Sequence, residues 1–306
     1  MQPLSCDLWL MDLKQLQRFV AAWKLGINQE SARAIASVTP KKENKVGKIP
    51  VFGPIEARPT FLGEVLGMPS YERIGNAVDM MMADSSVTSI MLDIFSPGGM
   101  VYGAQELAQK IYSYRGKGKP IIAVANPMAA SGAYWIGAAA DRLVMMPSGE
   151  VGSVGVITEH VDLTQALERE GAKVTIIRSS GSPFKAEQGD SEPLTEEAKA
   201  YIQDRADAIY ERFVADLARF RGVSVDHVKE HFGKGRVVDA RKAKAVGMVD
   251  YVDTLQGVFD KVHTGRYRMG KEAAMDVWDG PTRRESLLAK SAALIEVANS
   301  QPVEVV

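Results

Sequence analysis

Between residues 46 and 263, short apolar runs alternate with segments whose apolar residues recur every three or four positions. That alternation narrows the fold more than any other feature of the chain. The runs IPVFGPI (49–55), SIMLDIF (89–95), PIIAVAN (120–126), DRLVMM (141–146) and KVTIIRS (173–179) read as strands. Ile74, Val78 and Met81 place a helix over 71–83, and Leu107, Ile111 and Tyr114 place another over 103–115. GAYWIGAAA (132–140) reads as a helix of small residues. A long helix follows PLTEE, with Thr195 as its N-cap and Glu196 and Glu197 suited to the dipole of the first turn. Its apolar stripe is Ile202, Ala206, Ile209, Phe213, Leu217 and Phe220. Strands alternating with helices make βαβ units, so the prediction is an α/β fold with a largely parallel sheet.

The flanks differ from this core. Residues 1–45 read as an N-terminal appendage, with Leu13, Leu16, Phe19, Val20 and Trp23 at helical spacing and a polar, basic TPKKENKVGK stretch leading inward. Residues 264–306 turn polar and charged. A weak helix is expected over 284–297 in an otherwise partly disordered tail.

Composition removes several classes of function. With 37 basic and 38 acidic residues the formal net charge is −1, which argues against nucleic acid or an anionic membrane as the main partner. Cys6 is the single cysteine, so neither an intrachain disulfide nor a cysteine metal site can form. His227 and His231 could share a helix face, but no acidic third ligand stands at a familiar spacing, and no metal is expected. The first residues lack a basic stretch followed by a long apolar core. No run approaches the roughly 18 apolar residues that span a bilayer. The expectation is a protein without a membrane span that acts in the cytoplasm.

Three loops rich in small residues carry the candidate chemistry. They are Ser96-Pro97-Gly98-Gly99, Met128-Ala129-Ala130-Ser131-Gly132 and Gly152-Ser153-Val154-Gly155-Val156. In a parallel sheet, ligands bind beyond the carboxyl ends of strands. Glycines there let backbone N–H groups approach an oxyanion. Ser131 stands where a buried strand turns into a helix whose N-terminus favours negative charge. It can be read as a nucleophile, with the N–H groups of Gly98 and Gly132 facing its oxyanion, or simply as the N-cap of an Ala-rich helix. A serine nucleophile needs a base. Lys185, in SSGSPFKAEQGDSEPLT, suits that role if burial against Pro183 and Phe184 favours its neutral amine; otherwise it is an exposed loop lysine. His160, in TEHVDL, is the other candidate base, or a surface residue.

The order of motifs resembles the signal-peptide-peptidase-A (protease IV) family of serine proteases over roughly residues 48–263. The motifs are DIFSPGG (93–99), NPMAASGAYWIGAAAD (126–141), GEVGSVGVI (149–157), SGSPFKAEQGDSEPLTEE (180–197) and GRVVDARKAKAVGMVD (235–250). The resemblance implies a crotonase/ClpP-like fold with repeated ββα units. It also implies a serine endopeptidase with a Ser/Lys dyad: Ser131 as nucleophile, Lys185 as base, Ser153 bonded to the lysine ammonium, and Gly98 and Gly132 as the oxyanion hole. No cofactor is implied. The family assembles in rings, so a homo-oligomer is implied in which one subunit's lysine loop completes its neighbour's serine site. Ala133 replaces a second glycine after the serine, and SPFK replaces the commoner G-x-Y-K. Without a membrane anchor, the chain resembles the phage branch, the head-maturation proteases of the protein C type. That branch implies capsid, portal or scaffold proteins as substrates and a prohead in the host cytoplasm as the site of action. Competing readings are a cellular peptidase that degrades signal peptides, a Ser/His/Asp peptidase using His160, an acyl-CoA enzyme of crotonase type, and an inactive scaffold- or capsid-binding relative.

Overall fold

A computed structural model of the chain describes residues 9–11 and 40–264. In chain order the elements begin with β1 (Trp9–Met11), β2 (Lys41–Glu43), β3 (Val46–Phe52), α1 (Phe61–Leu66) and α2 (Tyr71–Ala83). Next come β4 (Ser89–Ser96), β5 (Gly98–Met100), α3 (Ala104–Ser113), β6 (Ile121–Ala130), α4 (Gly132–Ala138), β7 (Arg142–Met145) and β8 (Glu150–Gly152). The remainder are α5 (Thr164–Arg169), α6 (Glu196–Arg221), α7 (Val225–His231), β9 (Val237–Asp239), α8 (Ala240–Ala245), β10 (Tyr251–Val252) and α9 (Leu255–His263).

The main sheet runs β10-β7-β6-β4-β3-β2, and β8 and β9 join it beside β6. Every pairing from β10 to β3 is parallel, as is β6 with β8; β2 with β3 and β8 with β9 are antiparallel. The alternation of side chains along a strand divides the core between the two faces. Ile90, Leu92 and Ile94 of β4 and Ile121, Ala123 and Ala125 of β6 face the larger core, which includes Trp135 of α4 and Phe213 and Leu217 of α6. Met91, Ile122, Val124 and Val144 face the opposite side and are covered by Val258 and Val262 of α9. On that second side the buried Asp93 pairs with Lys48 Nζ at 2.8 Å and accepts from Asn126 Nδ2 at 2.9 Å.

The structure agrees with the sequence reading over most of this core. Helix 71–83 has the expected bounds, and Ser70 caps it by accepting from Arg73 N–H. Thr195 caps α6 by accepting from Ala198 N–H, and every residue of the expected stripe is buried. Two expectations are corrected. Residues 173–179 form no strand; they are irregular and almost wholly exposed. Their β-branched residues suit a strand, but no pairing partner is present among the described residues. Residues 41–43, read as part of an appendage, are a strand of the main sheet that pairs with β3. The predicted helices around Leu13–Trp23 and over 284–297 lie outside the described residues.

Candidate active site

β6 builds the centre of the site. Its first half, to Ala125, pairs with β4 and β7; in its second half Ala129 still faces Ser96 of β4, while Met128–Ala130 pair with β8 in place of β7. The Asn126–Pro127 peptide between the halves is cis. The change of partner sets Ala130 opposite Gly152, so the two loops that leave these strands start side by side. Ser131 follows Ala130, and its N–H donates to Gly152 O at 2.6 Å.

Ser131 is 1% exposed and has φ 53° and ψ −122°. A non-glycine residue in this region carries about 1–3 kcal/mol of strain and persists only where its surroundings impose it. The side chain makes no capping hydrogen bond to α4, so the alternative reading of Ser131 as an ordinary helix cap fails. What remains is a sharp strand-to-helix turn at a serine, a backbone arrangement of the kind that carries the nucleophile in α/β-hydrolases. Six non-glycine residues in the described chain have positive φ, and Ser131, Ser153 and Ala186 are three of them. Strain therefore gathers at or beside three of the residues that the motifs single out.

Ser153 is nearly buried, and its N–H donates to Arg236 O at 2.9 Å. That carbonyl belongs to the loop before β9, which pairs antiparallel with β8, Gly152 opposite Val237. This is the structural work of the GRVVDA segment: it clamps the Ser153 turn from outside. Gly152 has φ 118°, and a Cβ there would stand 2.9 Å from Arg236 O, so a side chain is excluded.

Gly98 and Gly132 flank the serine differently. Gly132 is the first residue of α4, where backbone N–H groups lack intrahelical acceptors. Gly98 begins β5, two residues after Ser96, which lies opposite Ala129 of β6. In the resting chain Gly98 N–H donates to the buried Ser96 Oγ at 3.1 Å. No motif in the sequence disclosed this local acceptor. A charged oxyanion is a stronger acceptor than a neutral hydroxyl and can take its place.

Helix α4 is held firmly behind Ser131. Trp135 stacks on Phe213 with ring centroids 4.4 Å apart, and its Nε1 donates to Asp216 at 3.2 Å. Tyr134 OH donates to Met248 O at 2.9 Å; burial pushes this phenol above its ordinary range, so it stays a neutral donor. At the C-terminal end of α4, Arg115 donates to the carbonyls of Ala138 and Ala139. Burial, then the neighbouring Arg221, pulls the Arg115 guanidinium down to about 10, which leaves it charged at neutral pH.

Lys185 stands apart from this cluster. It is exposed, as are Pro183 and Phe184, and among the described residues no hydrogen bond joins it to Ser131 or Ser153. The expected burial against Pro183 and Phe184 is not met within one chain. The reason lies in the segment that carries it. Residues 157–190 fold back on themselves through local bonds: Leu163 N–H to Asp190 O, His160 Nε2 to Gly189 O and Arg178 Nε to Lys185 O. No residue of α5 is buried. Val174 and Phe184 are about half exposed and Ile177 is 90% exposed. The competing base, His160, has its Nε2 committed to a carbonyl, which can only accept, at 2.9 Å. His227 and His231 do share a face, with ring centroids 4.6 Å apart.

Residues 113–267 match peptidase family S49, and the chain belongs to that family, whose fold is of the ClpP/crotonase-like type. Among individual proteins, it is 34% identical over 185 residues to the head-tail preconnector protein GP5 of Enterobacteria phage P21, covering 60% of this chain and 36% of that protein. It is 30% identical over 207 residues to the capsid assembly protease C of Escherichia phage lambda, covering 68% of this chain and 46% of that one. Protease 4 of Salmonella typhi is 30% identical over 167 residues, which is 55% of this chain and 26% of that protein. The chain thus spans less than half the length of each of these three relatives. Among the described residues, no helix is long and apolar enough to cross a membrane.

Proposed function

We propose that the chain is a serine endopeptidase in which Ser131 Oγ attacks a peptide carbonyl. The observation that carries this reading is the strained backbone of a buried serine that caps nothing. Neutral Lys185 takes the Ser131 proton and later returns it to the leaving amine, while Ser153 Oγ accepts from the lysine amine and orients it. The N–H groups of Gly132 and Gly98 receive the oxyanion, the latter released from Ser96. Water then resolves the acyl-enzyme. No residue in this scheme calls for a cofactor.

The proposal places Lys185 of one copy at Ser131 of another. The exposed apolar residues of segment 157–190, together with an exposed lysine, support a surface that a second copy covers. Tyr201 of α6, half exposed, adds to the same kind of surface. Proteins of a phage head are the proposed substrates, because two relatives are named for capsid assembly and the head-tail preconnector. The test mixes two inactive variants, Ser131→Ala and Lys185→Ala, under conditions of subunit exchange. Shared sites restore part of the peptide hydrolysis. A mixture that exchanges subunits yet stays inactive places each site within one chain.

A further inference from the structure

Strand β5 has two edges, and the chain itself occupies both. On one edge Ile55 N–H donates to Gly98 O at 2.9 Å, and Met100 N–H donates to Ile55 O at 2.9 Å. Consecutive residues of an extended strand turn their N–H and C=O groups to opposite edges. The groups of Gly99 therefore face the other edge. There β1 lies antiparallel, with Trp9 opposite Met100, Leu10 opposite Gly99 and Met11 opposite Gly98. This two-stranded ladder is separate from the main sheet.

Its direction bears on function. Because the strands are antiparallel, the chain from Trp9 to Met11 advances toward Gly98, one of the two glycines proposed to hold the oxyanion. A peptide about to be acylated onto Ser131 must advance the same way, its carbonyl end leading to the oxyanion donors. Gly99 makes this edge a firm template: a Cβ there would stand 1.9 Å from Ile55 O, so β5 is pressed against Ile55 with no room to shift toward it. A strand of only three residues holds few ladder bonds and can be exchanged for another peptide.

We infer that Trp9–Met11 is an internal strap that occupies the acyl side of the peptide groove and that a substrate strand must displace. This rests on the proposed role of Ser131 and Gly98. It adds a prediction about the chain's own N-terminal segment: the full chain is partly self-inhibited, through competition for β5 and not through any change in the catalytic groups.

The test uses the full chain and readouts that need no catalysis. Leu10→Pro removes the N–H opposite Gly99; Trp9→Asp serves as a second variant, should the first perturb folding. Hydrogen exchange at the Gly99 amide reports the strap directly, and it is expected to quicken at least tenfold in either variant. In a Ser131→Ala background, a fluorescein-tagged peptide of residues 8–12 is expected to bind at least threefold tighter once the strap is disrupted. Exchange at Gly99 that is equally fast with and without the substitution overturns the strap. Faster exchange with unchanged peptide affinity overturns the competition. If unmodified protein hydrolyses no peptide while both expected results hold, the strap stands and the peptidase reading falls.

Discussion

Replacing Ser131 by glycine and by alanine separates the backbone's contribution at the proposed nucleophile from that of its hydroxyl. At φ 53° and ψ −122°, a residue with a Cβ stores about 1–3 kcal/mol of strain. Alanine keeps that Cβ and loses only Oγ, and since Oγ caps nothing, no capping energy disappears with it. Glycine releases the strain, while its freedom in the unfolded chain takes back about 0.4–1 kcal/mol. Ser131→Gly is therefore expected to be more stable than Ser131→Ala by about 1 kcal/mol, with both variants inactive. Urea unfolding of the two proteins at equal m-value reads this as a shift in midpoint. A glycine variant no more stable than the alanine variant would refute the claim that the turn is strained, and with it the main physical support for Ser131 as nucleophile.

Three further outcomes follow from the same structure. Gly99→Ala is expected to abolish peptide hydrolysis and to destabilise the chain by several kcal/mol, on the order of an overpacked core site, because its Cβ meets backbone at 1.9 Å. Gly75→Ala is the matched control: its Cβ finds only side-chain atoms, the nearest at 3.5 Å, and helix α2 should gain about 0.5–1 kcal/mol in the same unfolding assay. Burial alone would push the Asp250 carboxyl up, but Arg221 and the Leu143 N–H outweigh it and hold the group below the usual carboxylate range. Its stabilisation is thus present above about pH 4 and is lost as pH falls through the depressed folded value. Asp250→Asn is expected to flatten that acid limb in stability-versus-pH measurements and, by leaving the buried Arg221 unpaired, to cost about 3–5 kcal/mol at neutral pH.

Much of this architecture was legible in the residues. Periodicity located α2 and α6 because each has one buried stripe, and it located β4 because both of its faces are covered. The motif order placed Ser131, Ser153 and Gly98 at the ends of neighbouring strands, and the register of β6 with β4 and β8 does bring those loops together. Four features were not legible. Pro127 reads as the end of a strand, yet β6 continues to Ala130, because its second half takes β8 as a new partner. Lys173–Ser179 has strand composition, but composition cannot supply a partner strand. The strand Trp9–Met11 is too short to show a pattern, and its pairing with β5 depends on contacts some ninety positions away in sequence. The surroundings of Lys185 were inferred from its neighbours Pro183 and Phe184, and local sequence does not say whether a second copy covers them.

Mass-spectrometric mapping of a fluorophosphonate adduct identifies the nucleophilic side chain itself. One adduct is expected, on Ser131, absent from Ser131→Ala and strongly slowed in Lys185→Arg, whose guanidinium stays protonated and cannot act as a base. An adduct on another serine, or labelling that persists undiminished in Ser131→Ala, would contradict the proposed role of Ser131.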